Sequence, residues 1–184
     1  GTRLMGAFRD DDSPYPQSAQ YSAAKLYLMT RWGFGPVAWS MSFDGQYTRD
    51  ELFSTEAFYI GGEASVRGFK QDGAQGDSGL AVRNDLSFDL QRLSGSGNRW
   101  LGAFTPGIFF DYGRVFPSAE LALDRPALTE RDVAVKTLAG AGVKLAFNYG
   151  IYEASATYAR VLDREEWMDE RGAFYFYAGI RGGF

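Results

Sequence analysis

The chain has 184 residues, enough for one domain or for part of a larger one, and 23% of them are charged. Its 19 Lys and Arg stand against 23 Asp and Glu, a balance that excludes both a disordered polyelectrolyte and a basic nucleic-acid footprint. It contains no Cys and no His, so disulfides, thiolate or imidazole metal sites, cysteine nucleophiles and histidine-based triads are all excluded, and an enzyme, a metal or a cofactor is not expected.

The start Gly1-Thr2-Arg3-Leu4 lacks the basic and apolar regions of a signal peptide. No window approaches the roughly 18 to 20 apolar residues of a membrane helix. The mean hydropathy is negative. In a transmembrane β-barrel, however, alternate residues are polar and the mean cancels, so period two is the signal to test.

Eight strands are predicted. The first, residues 2–8, is short; the second, 19–34, is long and mixed. The third, 37–48, alternates cleanly: Val37, Trp39, Met41, Phe43 and Tyr47 on one face, Ala38, Ser40, Ser42, Asp44, Gln46 and Thr48 on the other. Its twelve residues match the roughly 9 to 11 that a tilted strand needs to cross a bilayer. The fourth, 80–91, sets Leu80, Val82, Leu86, Phe88 and Leu90 against Arg83, Asp85, Ser87, Asp89 and Gln91, with Asn84 the polar exception on the apolar side. The fifth, 100–112, places Ile108, Phe110 and Tyr112 outward and Gly107, Phe109 and Asp111 inward, with Pro106 awkward for a ladder. The sixth, 136–147, carries Gly140, Gly142 and Lys144 on its second face, where they line a lumen or simply permit curvature. The seventh, 151–162, opposes Tyr152, Ala154, Ala156 and Tyr158 to Glu153, Ser155 and Thr157. The eighth, 173–184, has Phe174, Phe176, Ala178, Ile180 and Phe184 on one side and Tyr175, Tyr177 and Arg181 on the other.

The connections alternate in length. Long ones hold Asp10-Asp11-Asp12, residues 49–79, residues 114–135 and residues 163–172; short ones hold Gly33-Phe34-Gly35-Pro36, residues 93–99 and Asn148-Tyr149-Gly150. Long outer loops and short periplasmic turns are the arrangement of an outer-membrane barrel, and by that parity the chain ends on the periplasmic side. Aromatic residues near strand ends, among them Trp32, Trp100, Tyr112 and Tyr149, fit interfacial girdles. Asp10-Asp11-Asp12 lacks the spacing of a calcium loop, and Asp163, Glu165, Glu166 and Asp169 read as another exposed acidic loop.

Within 49–79 lies Phe58-Tyr59-Ile60-Gly61-Gly62-Glu63-Ala64-Ser65-Val66-Arg67-Gly68-Phe69. Its core, Val66-Arg67-Gly68-Phe69, supported by Gly61, Gly62 and Ser65, resembles the central loop motif of two-partner-secretion transporters of the TpsB type, in the superfamily that also contains BamA. Two further elements follow in the family's order. Arg83-Asn84-Asp85-Leu86 resembles its R-x-E element, with Asp in place of Glu, and Phe109-Phe110-Asp111-Tyr112-Gly113 fits its F-x-D-x-G pattern. The end, with Phe176, Ile180 and a terminal Phe184, looks like the signal read by the barrel-assembly machinery.

The resemblance implies an all-β transmembrane antiparallel barrel in the bacterial outer membrane, these eight strands being the C-terminal half of a 16-stranded barrel that also carries a plug helix and periplasmic POTRA domains. It implies a motif loop folded back into the lumen, Arg67 meeting the wall at Asp111 or Asp85, with Arg83, Phe109 and Gly113 beside them. It implies a pore that exports a large β-helical partner protein, a haemolysin, adhesin or contact-inhibition toxin, with outer-membrane lipid and the assembly machinery as further partners and no nucleic acid. The residues leave open an insertase of the BamA or TamA type, a small structural barrel of eight closed strands, and a soluble lipocalin-like binder.

Overall fold

A computed structural model describes residues 21–70, 72–95, 97–117 and 134–181. The predicted strand 2–8, the Asp10-Asp11-Asp12 run and Phe184 lie outside the described residues. Nine strands are described: β1 Ala23–Phe34, β2 Val37–Thr48, β3 Phe58–Ile60, β4 Ala74–Gly76, β5 Ser78–Phe88, β6 Phe104–Phe116, β7 Lys136–Tyr149, β8 Tyr152–Asp163 and β9 Gly172–Ile180. Seven of them form one antiparallel sheet in the order β1-β2-β5-β6-β7-β8-β9, and β3 pairs with β4 in a separate hairpin. Among the described residues the large sheet does not close: β1 and β9 are its edges. No described helix is long and apolar enough to span a bilayer, which leaves strand crossing untouched.

The strand expected over 100–112 instead runs Phe104–Phe116, after a 3-10 turn at Leu101–Ala103, and two further local differences from the sequence reading have physical causes. The strand expected over 80–91 stops at Phe88, because the Asp89 side chain accepts from the Arg92 backbone N–H and caps a short helix α1, Leu90–Ser94, which Gly95 ends in the left-handed conformation. Asp89 and Gln91 therefore do not extend the polar face of β5. Within the long segment 49–79, read as loop, β3 and β4 pair Phe58 with Gly76 and Ile60 with Ala74, giving the loop a stem.

The register fixes which residues share a face. Across the sheet, Gln46 faces Lys25 and Gly79, Asp85 faces Ser40 and Phe109, and Asp111 faces Arg83 and Gly140. Lys144 faces Gly107 and Thr157, and Thr157 faces Tyr175. This face is polar and glycine-rich. The opposite face carries Leu26, Leu28, Ile108, Phe110, Val143, Leu145, Tyr158, Phe174, Phe176 and Ile180, all exposed. A sheet that turns its apolar residues to its surroundings and its polar ones inward reverses the order of a water-soluble protein and suits hydrocarbon.

The buried core lies between the loop and the polar wall rather than between two sheets. Phe58, Ile60, Val66, Phe69 and Ala74 from the loop pack with Ala81, Val115, Leu138 and Met168, and Val161 borders them. Ile60, Val66, Phe69 and Leu138 are completely covered. Burying side chains of this size contributes about 1.5–3 kcal/mol each, so the loop is seated on the wall as a packed element. Gln46 reinforces its base, donating through Nε2 to the carbonyls of Glu56 and Asp77.

Candidate functional site

The loop turns sharply just before and within the motif. Gly61, Gly62 and Gly68 have φ values of 120°, 83° and 119°, a region that side chains disfavour. That path delivers Arg67 to the wall at the centre of the sheet. Its Nε donates to Asp111 Oδ2 at 2.6 Å and its Nη2 to Asp111 Oδ1 at 2.7 Å, a two-point pairing of fork with carboxylate. Nη1 and Nη2 reach Asp85 Oδ1 and Oδ2 at 2.9 and 3.2 Å. The Arg67 backbone N–H adds a 3.0 Å bond to Asp111 Oδ2, so one carboxylate fixes both the side chain and the backbone of the motif. The guanidinium lies over the Phe109 ring with 3.6 Å from Cζ to the centroid.

The charges are buried together. The side chain of Asp111 is fully covered, that of Arg67 is 5% exposed and that of Asp85 is 15% exposed. Lys144 Nζ approaches Asp85 Oδ1 at 2.6 Å, so two carboxylates are matched by two cations. Burial alone pulls the Arg67 guanidinium down; the hydrogen bonds and negative charge of Asp111 and Asp85 outweigh it and hold the group above its usual range. Removing either partner would strand a buried charge, which is far costlier than the pair is stabilising.

Small residues make room for this approach. A Cβ on Gly140 would collide with the Arg67 carbonyl oxygen, and the β7–β8 register shifts between Ala139 and Gly140 at the same place. A Cβ on Gly113 would stand 2.9 Å from Val66 Cγ2 and 3.0 Å from Ile60 Cγ2. Val66 and Phe69 are buried in the loop core. Arg83 lies on the same face as Asp111 and donates through Nη1 to the Ala64 carbonyl at 3.2 Å; its Nε and the Ser65 hydroxyl are buried without a hydrogen-bond partner among the described residues. Phe176 and Ile180 point to the apolar face, away from the site.

Residues singled out less sharply by the sequence complete the seat. Lys144 has no motif around it, and its pairing with Asp85 depends on a cross-sheet neighbourhood that spacing does not reveal. Tyr175 Oη receives the Gly68 N–H at 3.3 Å and donates to the Phe69 carbonyl at 3.1 Å. The segment 163–172, read as an exposed acidic loop, instead inserts Met168 into the core, 1% exposed, and sends Glu170 to the loop backbone. Among the described residues no group of His, Cys, Asp and Glu is arranged to hold a metal ion.

A family model described as haemolysin secretion/activation protein ShlB/FhaC/HecB matches residues 1–147. The outer membrane transporter CdiB of Dickeya dadantii (strain 3937) is 32% identical over 104 residues, covering 53% of this chain and 18% of that protein. The hemolysin transporter protein ShlB of Serratia marcescens is 32% identical over 123 residues, covering 64% of this chain and 20% of that protein. The chain thus spans about a fifth of the length of these curated relatives. Among solved structures, CdiB from Escherichia coli superposes on 97% of this chain and 31% of its own, with a TM-score of 0.72 at 23% identity, a likeness of fold.

Proposed function

The chain belongs to the haemolysin secretion/activation family of ShlB, FhaC and HecB, and on that premise we propose that the full-length protein is an outer-membrane pore that exports a large partner protein by two-partner secretion. In this reading the apolar face meets lipid, the polar face lines the channel, and the motif loop occupies the channel until transport begins. The relatives named as hemolysin and CdiB transporters support a cargo of the haemolysin or contact-inhibition class, which on our reading is β-helical and folds as it emerges. The protein acts as a transporter and performs no bond chemistry. Phe176 and Ile180, with Phe184, serve the barrel-assembly machinery during insertion.

The observation that carries the proposal is the seating of Arg67 against Asp111 and Asp85. A charged fork, one fully buried and one largely covered carboxylate and a glycine-lined wall form a contact of defined geometry between a loop and a channel lining. Such a contact specifies position more than it adds stability. A polar lining of Lys25, Arg31, Asp44, Glu153 and Arg181 gives an unfolded chain exchangeable hydrogen-bond partners without an apolar trap. The periplasm offers no ATP, so folding of the cargo outside supplies direction.

Arg67→Ala tests the reading. Export of the partner protein is expected to fall at least tenfold at matched outer-membrane levels, while insertion and heat-modifiable migration persist. Undiminished export would overturn it.

A further inference from the structure

We infer that the β8–β9 connection is a second clasp on the motif loop, with Glu170 as a positioning residue that holds the loop in its seated state independently of Arg67. The inference rests on the export reading above.

The loop is held at two places by different parts of the wall. Upstream, Arg67 binds β5 and β6. Downstream, Gly68, Phe69, Lys70 and Asp72 are held by β9 and the β8–β9 connection. Glu170 Oε2 accepts the backbone N–H of Lys70 at 2.7 Å and of Asp72 at 3.0 Å. Asp72 returns the arrangement: its Oδ2 accepts the N–H of Asp169 at 3.2 Å and of Glu170 at 3.3 Å. Each segment therefore presents a carboxylate to the other's backbone. Tyr175 binds Gly68 and Phe69 just upstream, and Met168 joins Phe69 in the same core.

The connection is built to present these groups. Arg164 donates through Nη1 to the carbonyls of Met168 and Glu170, folding the turn onto itself, and the Met168 N–H bonds the Glu165 carbonyl at 3.0 Å. Glu165 in turn accepts the Thr137 N–H at 2.9 Å, tying the connection to β7. By the parity of connections this loop lies on the outer side, where emerging cargo passes. Charged acceptors on backbone N–H groups are strong when shielded and are readily exchanged for water when exposed, and Glu170 and Asp72 are only half buried. The clasp is the separable one of the two attachments: the Arg67–Asp111 pairing is sealed, whereas this one opens to solvent.

The test uses the full-length transporter in planar bilayers and in cells. Glu170→Ala, which removes both charge-assisted hydrogen bonds that Glu170 accepts, is expected to raise channel open probability at least about tenfold, and Glu170→Gln, which keeps an acceptor oxygen, to lie between it and the wild type. A merely destabilised barrel would not show that graded rescue. In a second variant, Asp72→Cys with Glu170→Cys, bridged by a short bifunctional thiol reagent in a stretch that has no other cysteine, export is expected to stop while assembled protein persists. Unchanged open probability in Glu170→Ala, or normal export from the bridged variant, overturns the clasp. If wild-type protein itself neither conducts nor exports, the export reading fails instead, and the two failures are told apart.

Discussion

Arg67 reaches four carboxylate oxygens with three nitrogens while its backbone N–H reaches one of them again, and only a planar, multiply protonated group can do this. Arg67→Lys is therefore expected to behave like Arg67→Ala in export assays, because a single ammonium can satisfy Asp111 or Asp85 but not both. The same closeness makes Gly140 decisive. A methyl group there meets backbone rather than a flexible side chain, so the loop must lift. Gly140→Ala is expected to leave barrel assembly intact and to make the segment around Arg67 susceptible to added protease; protection equal to wild type would show that the wall yields instead.

Each strand of the large sheet sorts two environments by parity, and the consequences of a charge depend on which parity it enters. Val143, near the middle of β7, is 54% exposed on the apolar face. Val143→Lys is expected to lower unfolding stability by about 2–4 kcal/mol in lipid vesicles. Ser155→Lys, on the polar face of the adjoining strand β8, is expected to change it by less than half that; equal losses would contradict the facing assigned from the register. The β3–β4 stem and the segment 163–172 are elements of another kind, since neither crosses the sheet. They cover the wall, and the fully buried Phe69 joins them to it. Phe69→Ala is expected to cost about 3 kcal/mol and to loosen the loop from the wall, read as faster hydrogen exchange over residues 58–76 with the strands still protected.

At the scale of the molecule, the described strands form an open sheet with two edges, and an open edge row of N–H and C=O groups is not tolerated in hydrocarbon. The chain spans about a fifth of its curated relatives' length, and the proposed channel is assigned to the full-length protein rather than to this sheet. The alternation of 37–48, of β8 and of β9, and the order of the three motifs, were legible in the sequence because side-chain parity and motif spacing are local properties. The loop's stem, the helix after Phe88, the pairing of Lys144 with Asp85 and the clasp through Glu170 were not. The helix has a local cause, the Asp89 cap on the Arg92 N–H, which the polar parity continuing through Asp89 and Gln91 masked; the other three depend on residues far apart in the chain that meet only when the register and the loop's path are set. Sequence alone determined which side chains share a face, since a two-residue period needs no partner to be read. Tertiary structure alone decided which of the many inward charges meet, since a carboxylate becomes a clasp only where a folded loop brings a backbone N–H or a guanidinium within hydrogen-bond reach.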